Sequence, residues 1–181
     1  MTVFGKSPYI LVFARRERGR AFALPIPMLS ACIVILDQAV KAWVQRTMFP
    51  GMSIPVLSDF FHITFILNPG AAFGILAHQR VLFIIMGIVI LLVAAFFYPA
   101  VQRQCAWLRY GTALLLGGAC GNLIDRMRMG LVVDYFDFRF WPVFNVADIA
   151  IVCGVGCILY AILFHLRQGG SHGEGKNFHG R

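Results

Sequence analysis

Four apolar runs constrain this chain more than any other feature. They lie at about 21–44, 81–101, 106–124 and 145–166, each close to the ~20 residues of helix that cross a bilayer core. A soluble domain carries roughly a quarter of its residues as charged ones. Here 13% of 181 residues are charged, 59% are hydrophobic, and the mean hydropathy is +0.75. The reading is an all-α membrane protein with one four-span domain over 21–166. A basic lead-in, 1–20, precedes it, and a Gly/His-rich stretch, 167–181, follows as a flexible tail.

Sorting the charges by segment orients the spans. The lead-in sets Lys6, Arg15, Arg16, Arg18 and Arg20 against Glu17; the second turn holds Arg103 and Arg109; the tail sets Arg167, Lys176 and Arg181 against Glu174. These segments account for the whole net charge of +8. With four spans they share one side, which the Lys/Arg excess marks as cytoplasmic, with both termini there. The basic balance therefore reports topology, and nucleic-acid binding is not expected. The cysteines (Cys32, Cys105, Cys120, Cys153, Cys157) are odd in number and sit in or beside the spans, which argues against a disulfide framework. Cys153 and Cys157 are one helical turn apart, but no His or carboxylate accompanies them at that depth. They read as small buried hydrophobes, and neither a metal nor a cofactor is expected.

One N-terminal signal misleads. Arg15 to Arg20, then AFALPIPM, then Leu29-Ser30-Ala31-Cys32 has the outline of a cleavable bacterial lipoprotein signal. Ile33-Val34-Ile35-Leu36 continues the apolar run past that cysteine, so the segment is kept as the first span.

The two outer connections are strand-like. Phe61 to Leu67 is rich in β-branched and aromatic residues and stops at the turn signal Asn68-Pro69-Gly70. The second connection contains LVVDYFDFRF, with Asp134 and Asp137 three residues apart. Neither loop is large enough for its own core. Together they are expected to form a small sheet capping the outer end of the bundle, with Leu131, Val133, Tyr135 and Phe138 dipping into the membrane interface.

Ionisable residues inside a membrane are costly and mark functional sites by default. Here they gather at one height. The first span carries Asp37 and Lys41 at i, i+4, able to neutralise one another. The third ends in Asn122 and Asp125, and the fourth begins with Asn145 and Asp148 at the same i, i+3 spacing. Each piece has a structural explanation taken alone. Asn145 suits an N-cap with Asp148 in the first turn, Asp125-Arg126 suits an interfacial ion pair, and Gly117 and Gly121 suit close helix packing. Capping does not explain two matched Asn/Asp steps from adjacent helices at one depth. Two such carboxylates would share a proton, with Asp125, at a helix C-terminus, holding it and Asp148, at an N-terminus, ionised. A pair of that kind activates water against an amide and protonates the leaving nitrogen.

In these blocks the chain resembles the bacterial lipoprotein signal peptidase (signal peptidase II) family. LDQAVKAWV holds Asp37, Gln38 and Lys41; LNPGAAFG holds Asn68, Gly70, Ala71, Ala72, Phe73 and Gly74; GGACGNLIDR, VVDYFDF and FNVADIAI complete the series over Leu36 to Ile151. The resemblance implies a membrane aspartic endopeptidase of the bacterial cytoplasmic (inner) membrane, its active site at the extracytoplasmic face. It would remove signal peptides from diacylglyceryl-modified prolipoproteins just before the lipobox Cys. It implies Asp125 and Asp148 as catalytic dyad. Asn68, Asn122, Asn145, Asp37, Lys41 and Arg126 would position substrate or hold the dyad, and Gly118 among the glycines would leave room for close helix or substrate approach. The family fold is a four-helix membrane bundle with a small extracytoplasmic β-cradle. The expected partners are the lipid-modified prolipoprotein and membrane lipid, and the enzyme is expected to act as a monomer. The chain departs from the family in Ile149, where many members have Ser, and in its longer lead-in. The rival from another class is a proton-coupled small membrane transporter using paired acids, which predicts acids near the midplane and inverted repeats that this sequence lacks.

Overall fold

The computed structural model describes residues 26–70 and 79–170. The lead-in, the block from Ala71 to Gly74 and the last eleven residues of the tail lie outside the described residues. Four helices and three strands follow in the order α1 (Ile26–Thr47), β1 (Ser53–Leu57), β2 (Phe61–Asn68), α2 (Arg80–Val101), α3 (Ala106–Arg128), β3 (Val132–Asp137) and α4 (Val146–Gly170). Each expected span corresponds to a helix, and the third and fourth run on past residues 124 and 166.

Among the described residues α1, α2 and the Val146–Phe164 part of α4 are long and apolar enough to cross a membrane. Helix α3 is of similar length but carries Arg109, Asn122, Asp125, Arg126 and Arg128. It sits instead at the centre of the bundle, packed against α1, α2 and α4, and buries Asn122 and Asp125 along with most of its glycines. Polar groups on such a helix avoid lipid by facing the bundle interior. Two glycines let this happen. A Cβ on Gly118 would lie 2.3 Å from the Ala147 carbonyl oxygen, and one on Gly121 would lie 2.5 Å from Asp37 Oδ2. Those contacts bring the first turn of α4 and the acid of α1 directly onto the α3 backbone. Helix α2 differs: it buries none of its residues and, among the described residues, packs mainly on α3.

The strands form one antiparallel sheet in the order β1-β2-β3. Strands β2 and β3 lie where the β-branched and aromatic runs placed them. The edge strand β1, SIPVL, was not anticipated, being short and interrupted by Pro55, a residue tolerated at sheet edges. Val44 and Met48 at the C-terminal end of α1 form a buried core with Phe65, Val133 and Tyr135 of the sheet. This corrects one expectation. Val133 and Tyr135 do not dip into the interface; they mount the sheet on α1, and only Leu131 and Phe138 of that set are partly exposed.

The turn from α3 into β3 is closed by Gly130 at φ 80°, whose N–H donates to the Arg126 carbonyl at 3.1 Å. Arg80 at the start of α2 donates from Nε to the same carbonyl at 3.0 Å and from Nη2 to that of Met127 at 2.9 Å. A cation thus satisfies the last carbonyls of α3 and ties two helices together where β3 departs.

Candidate active site

Two groups of carboxylates lie side by side at the end of the bundle where the sheet is mounted. The first is closed. Lys41 Nζ lies 2.8 Å from Asp37 Oδ2, 2.8 Å from Asp125 Oδ2 and 3.0 Å from Asn122 Oδ1, so all three ammonium protons have acceptors. The Gln38 side-chain amide donates from Nε2 to Asp125 Oδ1 at 3.0 Å and to the Gly121 carbonyl at 3.2 Å. Asp37 Oδ1 accepts the Ala147 N–H at 3.0 Å, and the Val133 N–H donates to Asp125 Oδ2 at 3.3 Å. Asp37, Lys41 and Asp125 are all buried. Helix spacing put Asp37 beside Lys41, and it is met; Asp125 from α3 completes the cluster.

The second group is open. A cavity of about 240 Å³ is bounded by α2 (Phe83, Met86, Gly87, Ile90), by α3, by α4 and by the sheet, and Asp134 and Asp148 are the acids in its wall. Asp125 is not in that wall. Two asparagines join the acids. Asn122 Nδ2 donates to Asp148 Oδ1 at 2.8 Å, Asn145 Nδ2 donates to Asp134 Oδ1 at 2.7 Å, and Asn145 Nδ2 reaches Asn122 Oδ1 at 3.2 Å. Because Lys41 also occupies Asn122 Oδ1, the amide of Asn122 has one useful orientation, with its donor toward Asp148. The closed cluster therefore sets the geometry of the open pair.

Local structure fixes Asp148 a second time. Asn145 Oδ1 accepts the Asp148 N–H at 2.9 Å, and Asp148 Oδ2 accepts the Asn145 N–H at 3.2 Å. This is a reciprocal capping box at the start of α4. The cap and a place in the cavity wall are compatible, since the cap leaves Asp148 Oδ1 for Asn122.

Asp134 is held from the sheet side. Asn68 Nδ2 donates to Asp134 Oδ2 at 2.8 Å while Asn68 Oδ1 accepts the Gly70 N–H at 2.9 Å, so the turn after β2 orients the amide. Burial first, and the negative charge of Asp148 second, push the Asp134 carboxyl up to about 7, against the hydrogen bonds from Asn68 and Asn145. Three residues on, Asp137 behaves oppositely. Burial acts to raise it, but hydrogen bonds from Thr64 and Arg139 and the Arg139 charge together hold it below the ordinary carboxylate value.

Arg126 also lines the cavity. Its guanidinium lies 4.5 Å from the centre of the Phe83 ring and donates from Nη2 to the Gly70 carbonyl at 3.1 Å. It joins α3, α2 and the turn after β2, and so serves as cavity wall rather than as an outward anchor. Gly118 acts by closeness to α4 and does not line the cavity. Ile149 points away from the cavity and is 43% exposed.

Sequence reasoning named Asp134 only as part of a strand and missed its place in the site. The signal was an acid set inside VVDYF, on a strand whose neighbours are buried: an ionisable group that a purely structural strand would not place there.

Membrane-length helices around a cavity with two carboxylates in its wall define a multi-pass membrane protein with a polar site at one end of its bundle. Comparison with known proteins makes the class specific. Residues 29–164 match the family model described as signal peptidase (SPase) II. The chain is 48% identical over 133 residues to the lipoprotein signal peptidase of Pelotomaculum thermopropionicum, covering 74% of this chain and 88% of that one. It is 41% identical over 140 residues to the lipoprotein signal peptidase of Moorella thermoacetica, covering 77% and 93%. A solved bacterial membrane enzyme, determined by the in meso method at 2.3 Å resolution, superposes with a TM-score of 0.74 at 31% identity, covering 91% of this chain and 98% of the other. The chain belongs to the signal peptidase II family and is a membrane protease.

Proposed function

We propose that this protein is an aspartic endopeptidase that removes signal peptides from prolipoproteins by cleaving before a diacylglyceryl-modified Cys, and that Asp134 and Asp148 are its reacting pair. The observation that carries the reading is the cavity with those two acids in its wall. This revises the pairing of Asp125 with Asp148 expected from helix spacing. Asp125 is engaged by Lys41, Gln38 and the Val133 N–H, and no part of it borders the cavity. Asp125 is read instead as an acid that holds Lys41 in place.

The division of labour follows from the surroundings. Asp134, pushed up to about 7, carries the shared proton near neutral pH, while Asp148 accepts from Asn122 Nδ2 and from the Asn145 N–H, donors that suit it to the part of proton acceptor. Asp148 takes a proton from a water whose oxygen attacks the scissile carbonyl carbon, and Asp134 gives its proton to the carbonyl oxygen. As the C–N bond breaks, Asp148 passes its proton to the leaving nitrogen and Asp134 recovers its own from the tetrahedral hydroxyl. No covalent intermediate forms.

The same reading places four spans in the bacterial inner membrane with both termini cytoplasmic, the enzyme acting as a monomer. The lipid chains of the substrate, worth about 0.8 kcal/mol per buried CH₂, would keep the scissile bond near the headgroups. Helix α2, which packs mainly on α3, would give lipid access to the apolar side of the cavity (Met86, Ile90, Ile151). The test is cleavage of a diacylglyceryl-modified prolipoprotein by purified wild type, Asp134→Asn and Asp148→Asn. Each variant is expected to lose about 10²–10⁴-fold in kcat, the usual worth of a general acid or base. Full activity in either, or equal cleavage of an unlipidated substrate, contradicts the proposal.

A further inference from the structure

The sheet carries an apolar surface that neither the cavity nor the core uses. All five residues of β1 are exposed, although Ile54, Val56 and Leu57 are apolar. At the hairpin tip, where Asp59 adopts φ 61°, Phe60 is 51% exposed, and beyond β3 Phe140 and Trp141 are 73% and 57% exposed. Three of the rings near this edge of the sheet, Phe60, Phe138 and Phe140, cluster together. The Phe60 ring lies 5.6 Å from that of Phe138 and 6.1 Å from that of Phe140, and Phe138 and Phe140 are 6.2 Å apart. Rings that touch one another on an open surface expose an apolar area of the kind that marks an interaction site.

The patch is separate from the protease site, since none of its residues lines the cavity. Its place in the chain limits what can cover it. Only residues 48–52 separate the end of α1 from β1, and Gly51 and Phe65 are hydrogen-bonded at 2.8 Å, so the sheet begins directly at the helix end. Five residues reach at most about 17 Å even when extended, about two to three times the roughly 5–7 Å headgroup layer on one side of a bilayer, so the sheet cannot leave the neighbourhood of the membrane surface. The exposed apolar surface of α1 also continues into this connection, through Trp43 (54%) and Phe49 (67%). Charge at the patch is small: Arg139, between Phe138 and Phe140, is paired with Asp137 at 3.0 Å, which leaves the exposed Asp59 beside Phe60 as the remaining carboxylate. Aromatic residues at the mouth of a bundle, with little net charge, suit the interfacial belt where rings sit at headgroup level.

We propose that Phe60, Phe138, Phe140 and Trp141, with the apolar edge strand β1, dock the sheet onto the bilayer surface at the headgroup–acyl boundary. The occupant is lipid, and the effect is to hold the sheet beside the cavity at a fixed depth. The proposal rests on the membrane topology in the reading above, but not on the identity of the catalytic acids.

The full chain with Trp43→Phe and Trp107→Phe keeps Trp141 as its one fluorophore of that kind. It would be reconstituted in phosphatidylcholine vesicles, with or without bromine on acyl carbons 6 and 7, and cleavage would be measured in the same vesicles. Trp141 emission is expected to fall severalfold in brominated vesicles, and Phe60→Ser with Phe140→Ser is expected to reduce that quenching. Equal emission in both kinds of vesicle overturns the proposal, whether aqueous acrylamide reaches Trp141 freely, as on an open surface, or fails to reach it, as under a second copy or another protein. Lipid quenching without cleavage would leave the docking intact and count against the protease reading alone.

Discussion

Two groups of acids a few residues apart in the same bundle have opposite fates. Asp37 and Asp125 share one lysine and face no cavity, whereas Asp134 and Asp148 share no lysine contact and face one. The residue types are the same, so the difference lies in the counterion. Where Lys41 is within 2.8 Å the charges are satisfied in place; where only amides reach the carboxylates, one of them keeps its proton up to about 7. A membrane protein can thus hold several carboxylates at one depth and make only two of them reactive, by deciding which ones the ammonium group touches. Asn122 connects the groups, accepting from Lys41 and donating to Asp148.

The largest effect on this contrast is expected from removing the counterion. Lys41→Met would leave Asp37 and Asp125 buried without their cation and release the Asn122 amide. Breaking a buried ion pair from one side costs about 3–5 kcal/mol. Thermal unfolding in detergent is expected to show a large loss of stability together with loss of cleavage. An unchanged melting midpoint would mean that the closed cluster does not hold the bundle.

A smaller and more selective effect is expected from Asn68→Ala. Asn68 stabilises the ionised form of Asp134, so its loss raises the Asp134 value further. Cleavage that depends on protonated Asp134 falls as pH rises through about 7 in the wild type. In the variant that alkaline limb is expected at higher pH, with kcat/KM lowered by roughly fivefold, the worth of one hydrogen bond of about 1 kcal/mol. A pH–rate profile with an unmoved limb would separate the limb from Asp134.

Much of this fold was legible before any coordinates. Hydropathy gave the helices, β-branched runs gave β2 and β3, and spacing gave two of the polar steps, Asp37 with Lys41 and Asn145 with Asp148. What spacing cannot report is rotation between helices. Asp125 and Asn122 are one turn apart, but α3 turns Asp125 toward α1 and Lys41 and leaves the Asn122 donor toward Asp148 of α4. The acid that replaces it in the cavity comes from a strand, where a period of two and a bulge in the β2–β3 register between Ile63 and Ile66 decide which face Asp134 takes. Such a register is a product of pairing and is not written in β3 alone. The interface expectation failed for a related reason: Val133 and Tyr135 look like membrane-facing residues until α1 supplies Val44 and Met48 to bury them.

The assignment of the reacting pair is tested most directly by chemical labelling. A small carboxylate-reactive epoxide, incubated with the folded enzyme near neutral pH, esterifies an ionised acid that it can reach, and peptide mass mapping locates the ester. The label is expected on Asp148, with loss of activity in proportion and protection by the lipid-modified substrate. An ester on Asp125, with Asp134 and Asp148 unmodified and activity lost, would contradict the account.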